Sequence, residues 1–266
     1  MHDLKAIVAD LHLDGSRSLD TALENLVDRL DHLHVHELFI LGDMFDYLIG
    51  DKRYIQDHHY RALDRISAFR KNKKKNRVHL LEGNREFFVR DSFLLHRFFD
   101  SIGETATFRA GRKSFFLEHG DRIDPYDRRY RFWRFVSKNI ISYAAMKAIP
   151  AKLGTRIVSN FEKRLKNLSP EGSIVDKLSL VSHARAMFFR NFDVVVTGHF
   201  HRFFVYSENG RKLVVMPAWR DTQSFALIGP RGDMALIGPG AGYSPRTRKG
   251  GKNEQKMQRG EQQGQV

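Results

Sequence analysis

Residues 4–12 read Leu4-Lys5-Ala6-Ile7-Val8-Ala9-Asp10-Leu11-His12. So short an apolar run, closing on a carboxylate and an imidazole two positions apart, predicts a buried strand that delivers polar groups at its end. The same arrangement recurs twice. Glu37–Leu41 runs into Gly42-Asp43-Met44-Phe45-Asp46, and Val78–Leu81 runs into Gly83-Asn84-Arg85-Glu86. Between these strands, Leu19, Leu23, Leu26, Val27 and Leu30 recur at helical spacing. Ile55, Ala62, Leu63, Ile66 and Phe69 favour one face of a second helix from Tyr54 to Phe69. Strand–helix–strand–helix–strand is the pattern of an α/β unit.

Further along the chain, Thr105–Arg109 and Ser114–Leu117 flank Gly111 as a hairpin, and the second strand leads into His119-Gly120-Asp121. Phe192–Thr197 leads into Gly198-His199-Phe200-His201. Phe203–Ser207 and Lys212–Met216 enclose Glu208-Asn209-Gly210, a further hairpin signal, with Ser224–Ile228 and Met234–Ile237 as closing strands. From Tyr130 to about Phe189 the pattern is helical, broken at Pro150 and Pro170. The expected organisation is a core of residues 1–121 and 190–239, an inserted helical cap over 122–189, and a disordered basic tail over 240–266.

The 266 residues, 41% of them hydrophobic, are enough to bury a core without a staple. No cysteine is present, which excludes disulfides, thiolate nucleophiles and Cys-ligated metals. The first residues turn acidic too early for a signal peptide, and no run of 18 apolar residues is present to span a membrane. The net charge of +14 is uneven: residues 122–167 carry 12 basic and 3 acidic side chains, and residues 240–266 carry 6 and 2. Such surfaces attract nucleic acid, anionic lipid or phosphorylated substrates.

Five strands thus end in Asp10 and His12, Asp43, Asn84, His119, and His199 and His201, usually beside glycine, which lets the backbone turn tightly there. In an open α/β sheet such ends share one edge, where sites form. Carboxylate, imidazole and amide oxygen without sulfur suit Mn²⁺, Fe²⁺, Zn²⁺, Co²⁺ or a Mg²⁺-like ion. Seven donors exceed one ion's needs but divide over two ions about 3.5–4 Å apart, a pair able to activate water and neutralise a phosphoryl group. Asp-x-His or Gly-His-x-His alone recurs by chance. All five pieces in order, each past a strand, do not.

In these motifs the chain resembles calcineurin-type metallophosphoesterases, whose set is Asp-x-His, Gly-Asp-x-x-Asp, Gly-Asn-x-Asp/Glu, a lone His before Gly, and Gly-His-x-His. The resemblance spans residues 4 to about 228 and implies a four-layer α/β/β/α sandwich. It implies Asp10, His12, Asp43 and His201 on one metal, and Asp43, Asn84, His119 and His199 on the other. Asp43 is the bridge, and Asp46 and Glu86 are supporting residues.

Arg85 stands where many members carry histidine. An arginine cannot act as a general acid, but it clamps phosphate oxygens. That suits a leaving group which is already acidic, as in a pyrophosphate, and resembles the UDP-2,3-diacylglucosamine pyrophosphatases of lipid A synthesis. Tyr47-Leu48-Ile49-Gly50-Asp51, then Asp127, Tyr130, Trp133 and Arg134, and Ala218-Trp219-Arg220 match segments of that group. The chain departs from it at Asp46, where Glu is usual, and at Arg220, where His is usual.

The resemblance implies hydrolysis of UDP-2,3-diacylglucosamine to UMP and 2,3-diacylglucosamine 1-phosphate, with two Mn²⁺ ions as cofactors. It also implies a cytoplasmic enzyme peripheral on the inner membrane. Catalytic roles fall to Asp43, Asn84, Arg85 and His199. Substrate contacts fall to Arg85, Asp127, Tyr130, Trp133, Arg134 and Ile141. The basic, aromatic-rich segment around Trp133 and Ile141 suits an acyl groove or an interfacial helix as well as an ordinary packed helix pair. Two alternatives stay open: a phosphoesterase for another nucleotide diphosphate or lipid phosphodiester, and a basic nucleic-acid-binding module with a vestigial metal site. Nucleic acid is the less favoured partner, since basic tails also solubilise. His32, His34 and His36 lack matching partners. His58, His59, His79 and His183 read as structural or solvent-facing, and residues 70–75 as a solvated turn.

Overall fold

The opening run forms β1 (Leu4–Val8), buried on both sides from Ala6 to Val8 in the computed structural model, which describes residues 3–123, 144, 148–149 and 177–239. There follow α1 (Arg17–His32), β2 (Val35–Ile40), β3 (Leu48–Ile49), α2 (Asp57–Asn72), β4 (Arg77–Leu81) and β5 (Glu86–Phe87). Next come β6 (Ser101–Gly103), β7 (Thr105–Ala110), β8 (Lys113–Glu118), α3 (Lys177–Phe189) and β9 (Val194–Thr197). The chain continues through β10 (Phe204–Glu208), β11 (Arg211–Val215), α4 (Trp219–Thr222), β12 (Phe225–Ile228) and β13 (Met234–Ile237).

Two sheets result, ordered β13-β12-β1-β2-β4-β6 and β10-β11-β9-β8-β7, with a two-stranded ribbon of β3 and β5. In β1, Ala6 and Val8 join Leu23, Leu26 and Leu30 of α1 and Leu63 and Ile66 of α2 in one apolar layer. Ile7 and Ala9 point the other way, into a layer with Phe115, Leu117, Val194 and Val196 of the second sheet. A strand covered on both faces must be apolar, so β1 shows no alternation from Ala6 to Val8. On the far side of the second sheet, Val195, Leu213 and Val215 pack with Leu180, Ala184 and Met187 of α3. The layers therefore run α/β/β/α.

The two expected hairpins form as β7–β8 and β10–β11, and the closing strands pair as a third, β12–β13, all antiparallel. Two expectations take a different shape. The polar strand ends do not line the edge of a single sheet: β1, β2 and β4 lie parallel in the first sheet, and β8 and β9 lie parallel in the second. The inter-sheet apolar layer brings both edges together. Residues 177–189, read from sequence as the end of the cap, form α3 and cover the second sheet as the fourth layer. Asp127, Tyr130, Trp133, Arg134 and Ile141 lie outside the described residues, as does the tail over 240–266. Among the described residues, no helix is long and apolar enough to cross a membrane.

His59 is structural. Its Nδ1 accepts the Gln56 backbone N–H at 2.9 Å, closing a capping box at the start of α2, and its Nε2 donates to the Tyr47 carbonyl at 3.1 Å. Accepting at Nδ1 requires the neutral ring, and burial, aided by His58, pushes its pKa down to about 3. A depressed pKa stabilises the fold above the unfolded value of about 6.5, and that contribution is lost as pH falls towards 3. Its size is at most roughly 5 kcal/mol. His59→Gln keeps a donor and an acceptor without titrating. The variant should therefore show a flatter fall in Tm between pH 6.5 and 4, and parallel curves would refute this role.

Candidate metal centre

Parallel strands within each sheet carry their C-terminal ends to one side, and the seven motif residues meet there. Strain accompanies the meeting: Asp10, His12, Asp43, His199 and His201 all have φ between 44° and 69°. Non-glycine residues rarely adopt this left-handed region, and such outliers cluster at functional sites. The turns need glycine for space as well. A Cβ on Gly42 (φ +77°) would lie 2.7 Å from His119 Nδ1, and one on Gly83 would lie 2.7 Å from the Asp43 amide nitrogen.

Two overlapping groups of donors result, Asp10–His12–His201 and Asp10–Asp43–His119. His12 Nε2 faces His201 Nε2 at 3.3 Å, and Asp10 Oδ1 lies 3.6 Å from His201 Nε2 and 3.9 Å from His119 Nδ1. Asp43 turns Oδ2 towards His12 Nε2 at 3.7 Å and Oδ1 towards His119 Nε2 at 3.6 Å. Its two oxygens thus address both groups. Asp10 belongs to both as well, a sharing that motif spacing did not reveal. Asn84 Oδ1 completes the cluster, 2.9 Å from His119 Nε2 and 3.1 Å from His199 Nδ1.

Backbone contacts aim these groups. His119 Nδ1 donates to the Leu41 carbonyl at 2.7 Å, which leaves Nε2 to face Asp43 and Asn84. Thr197 Oγ1 donates to the His119 carbonyl at 2.8 Å, and the His199 N–H donates to Asp10 Oδ2 at 2.8 Å. Glu86 accepts the N–H groups of Gly83, Asp43 and Met44 at 2.8–2.9 Å, clipping two motif turns together. Burial and the Asp43 charge push its carboxyl up to about 7. Asp46 Oδ1 lies 3.7 Å from His12 Nδ1. Arg85 donates its N–H to Asp43 Oδ1 at 2.9 Å, and its Nε lies 4.0 Å from Asp43 Oδ2. The Leu41 carbonyl and Thr197 were missed from sequence. A carbonyl leaves no sequence signature, and Thr197 offered only its place before Gly198.

The electrostatics fit a cation. Burial works to raise Asp10, yet its interaction with His201 and the charges of His119 and His12 hold it below the usual carboxylate range. Burial also works to lower His119, but Asp43, Asp10 and Asp121 push it up to about 9. His199 goes the other way, down to about 4, through burial and the neighbouring His119 charge. The buried carboxylates draw a proton onto one ring, and a divalent ion answers the same field. Asp10 Oδ1 is buried without a hydrogen-bond partner, as a ligand oxygen would be. The donor set fits divalent metal.

The profile of the calcineurin-like phosphoesterases matches residues 6–203. Among curated relatives, the UDP-2,3-diacylglucosamine hydrolase of Serratia proteamaculans is 27% identical over 220 residues, covering 80% of this chain and 89% of the relative. That of Neisseria meningitidis is 25% identical over 241 residues, covering 87% and 96%. That of Pseudomonas putida is 26% identical over 203 residues, covering 74% and 81%. In fold, the chain is similar to a dimetal phosphatase from Danio rerio, with a TM-score of 0.50 at 16% identity over 89% of this chain and 95% of that one.

Proposed function

The chain belongs to the calcineurin-like phosphoesterase family as a metal-dependent phosphoesterase, and from that premise we propose that it hydrolyses the phosphate anhydride of UDP-2,3-diacylglucosamine. Asp10, His12, Asp43 and His201 would hold one divalent ion, and Asp43, Asn84, His119 and His199 a second, with Mn²⁺ as the metal. Such a pair supplies charge neutralisation on the phosphoryl group and activation of water. This chain's own residues do the rest. Asp46 and Glu86 hold His12 and the motif turns in place, and Arg85 clamps a phosphate oxygen through its planar fork.

Water attacks the α-phosphorus, and the bond from that phosphorus to the bridging oxygen breaks. The bridging oxygen departs with 2,3-diacylglucosamine 1-phosphate, and UMP keeps the attacking oxygen. A phosphate leaves without a proton donor, whereas an alkoxide needs one. The observation that supports this is Arg85, its Nε 4.0 Å from Asp43 Oδ2, at the motif position where many members of the family carry a histidine able to protonate the leaving group. Trp133 and Ile141, with Asp127, Tyr130 and Arg134, would bind the lipid. The +9 charge of residues 122–167 suits work at an anionic membrane face.

The test compares kcat/KM on the UDP-linked diacyl substrate with that on an alkyl phosphomonoester. The anhydride should win by at least about 100-fold, the lower range of what a missing general acid costs the monoester. Comparable values would refute the proposal. Polar substitutions at Trp133 and Ile141 should raise KM for the diacyl substrate and not for its unacylated counterpart. Parallel losses would remove lipid selection from the cap.

A further inference from the structure

Arg220 occupies the rim of the donor cluster on a fixed piece of backbone. It is the second residue of α4, whose first N–H, from Trp219, donates to the Ala9 carbonyl at 2.9 Å. Its own N–H reaches the Asp10 carbonyl at 3.3 Å. The turn that presents Asp10 therefore also sets where Arg220 begins. The partly exposed side chain brings Nη1 to 3.9 Å from Asp46 Oδ1, the oxygen that faces His12 Nδ1 at 3.7 Å. At that distance the pair attracts electrostatically but shares no hydrogen bond. Among the described residues, the guanidinium hydrogen-bonds to none.

Arg85 is placed in a comparable way on the Asp43 side, with Nε buried, 4.0 Å from Asp43 Oδ2 and without a hydrogen-bond partner. Two guanidinium groups thus stand beside one cluster, each positioned by a carboxylate that leaves its donors for a ligand. A mononucleotide phosphate needs one such fork, while two linked phosphoryl groups can engage both. We infer that Arg220 is a second phosphate clamp, which selects substrates carrying two linked phosphoryl groups by holding one while Arg85 holds the other. The inference rests on the anhydride reading above and names the residue that enforces it.

Binding measurements separate the two ideas. On the Mn²⁺-loaded protein, titration calorimetry would give Kd for the non-hydrolysable α,β-methylene-UDP and for UMP. The wild type should bind the diphosphonate analogue at least tenfold more tightly. Arg220→Gln should erase most of that preference while UMP binding shifts less than threefold, and Arg220→Lys should restore part of it. Metal content and Tm of both variants, measured alongside, should match the wild type. A preference unchanged in Arg220→Gln overturns the clamp and leaves the anhydride reading standing. Equal losses for both ligands, or lost metal, assign Arg220 to supporting Asp46 and overturn the clamp as well. A wild type without preference overturns the anhydride reading itself.

Discussion

Asp43→Ala is expected to lower kcat/KM by well over 100-fold and to leave the protein unable to hold the proposed pair of divalent ions. Residues that only support a metal ligand typically cost 10–100-fold, and Asp43 sits closer to the chemistry than that. Its Oδ2 faces His12 and its Oδ1 faces His119, so one truncation withdraws an oxygen from both donor groups. The same oxygen, Oδ1, accepts the Arg85 backbone N–H, so the turn that carries the proposed phosphate clamp loses its anchor too. Asp43→Asn separates these effects. It keeps an acceptor for Arg85 but removes the negative charge, so metal affinity should still fall while Tm stays near the wild-type value. Metal analysis by mass spectrometry beside calorimetric titration reads the result. Two ions bound at wild-type occupancy in Asp43→Ala would remove Asp43 from its bridging place.

Arg85→Lys should lower kcat/KM on the anhydride by about 10–100-fold although the charge is kept. Hydrogen bonds to a charged group contribute roughly 1.5–3 kcal/mol, and a lysine ammonium cannot reproduce two parallel N–H contacts. The loss should be larger on the anhydride than on a phosphomonoester, because two linked phosphoryl groups ask more of the clamp. Arg85→His is the sharper variant, since it supplies a titratable acid. It should gain on the alkyl monoester relative to the anhydride, with a monoester rate that falls as pH rises and the ring loses its proton. An Arg85→Lys variant of wild-type activity on the anhydride would show that the side chain does not touch the phosphate.

The donor set of the candidate centre was readable along the chain because each motif is local. A short apolar run, a glycine and a polar pair within three residues require nothing distant, so Asp10, His12, Asp43, Asn84, His119, His199 and His201 stood out one strand at a time. The helical faces of α1 and α2 were readable for the same reason, since one periodic stripe identifies the buried side. Pairing between distant segments was not. β1 lies against β12, more than two hundred residues away, and nothing in Leu4–Val8 names Phe225–Ile228 as its neighbour. Tertiary structure alone divided the five strand ends between two sheets, because the apolar layer that joins their edges is made by contacts of Ile7 and Ala9 with Leu117 and Val196. It also decided that Lys177–Phe189 covers the second sheet, since a helix so apolar overall has no single stripe to announce its partner. Which ring nitrogen of His119 faces the cluster was decided by the Leu41 carbonyl, a group every residue possesses. Sequence determined which atoms this protein brings to its centre; the packing of two sheets determined how they face one another.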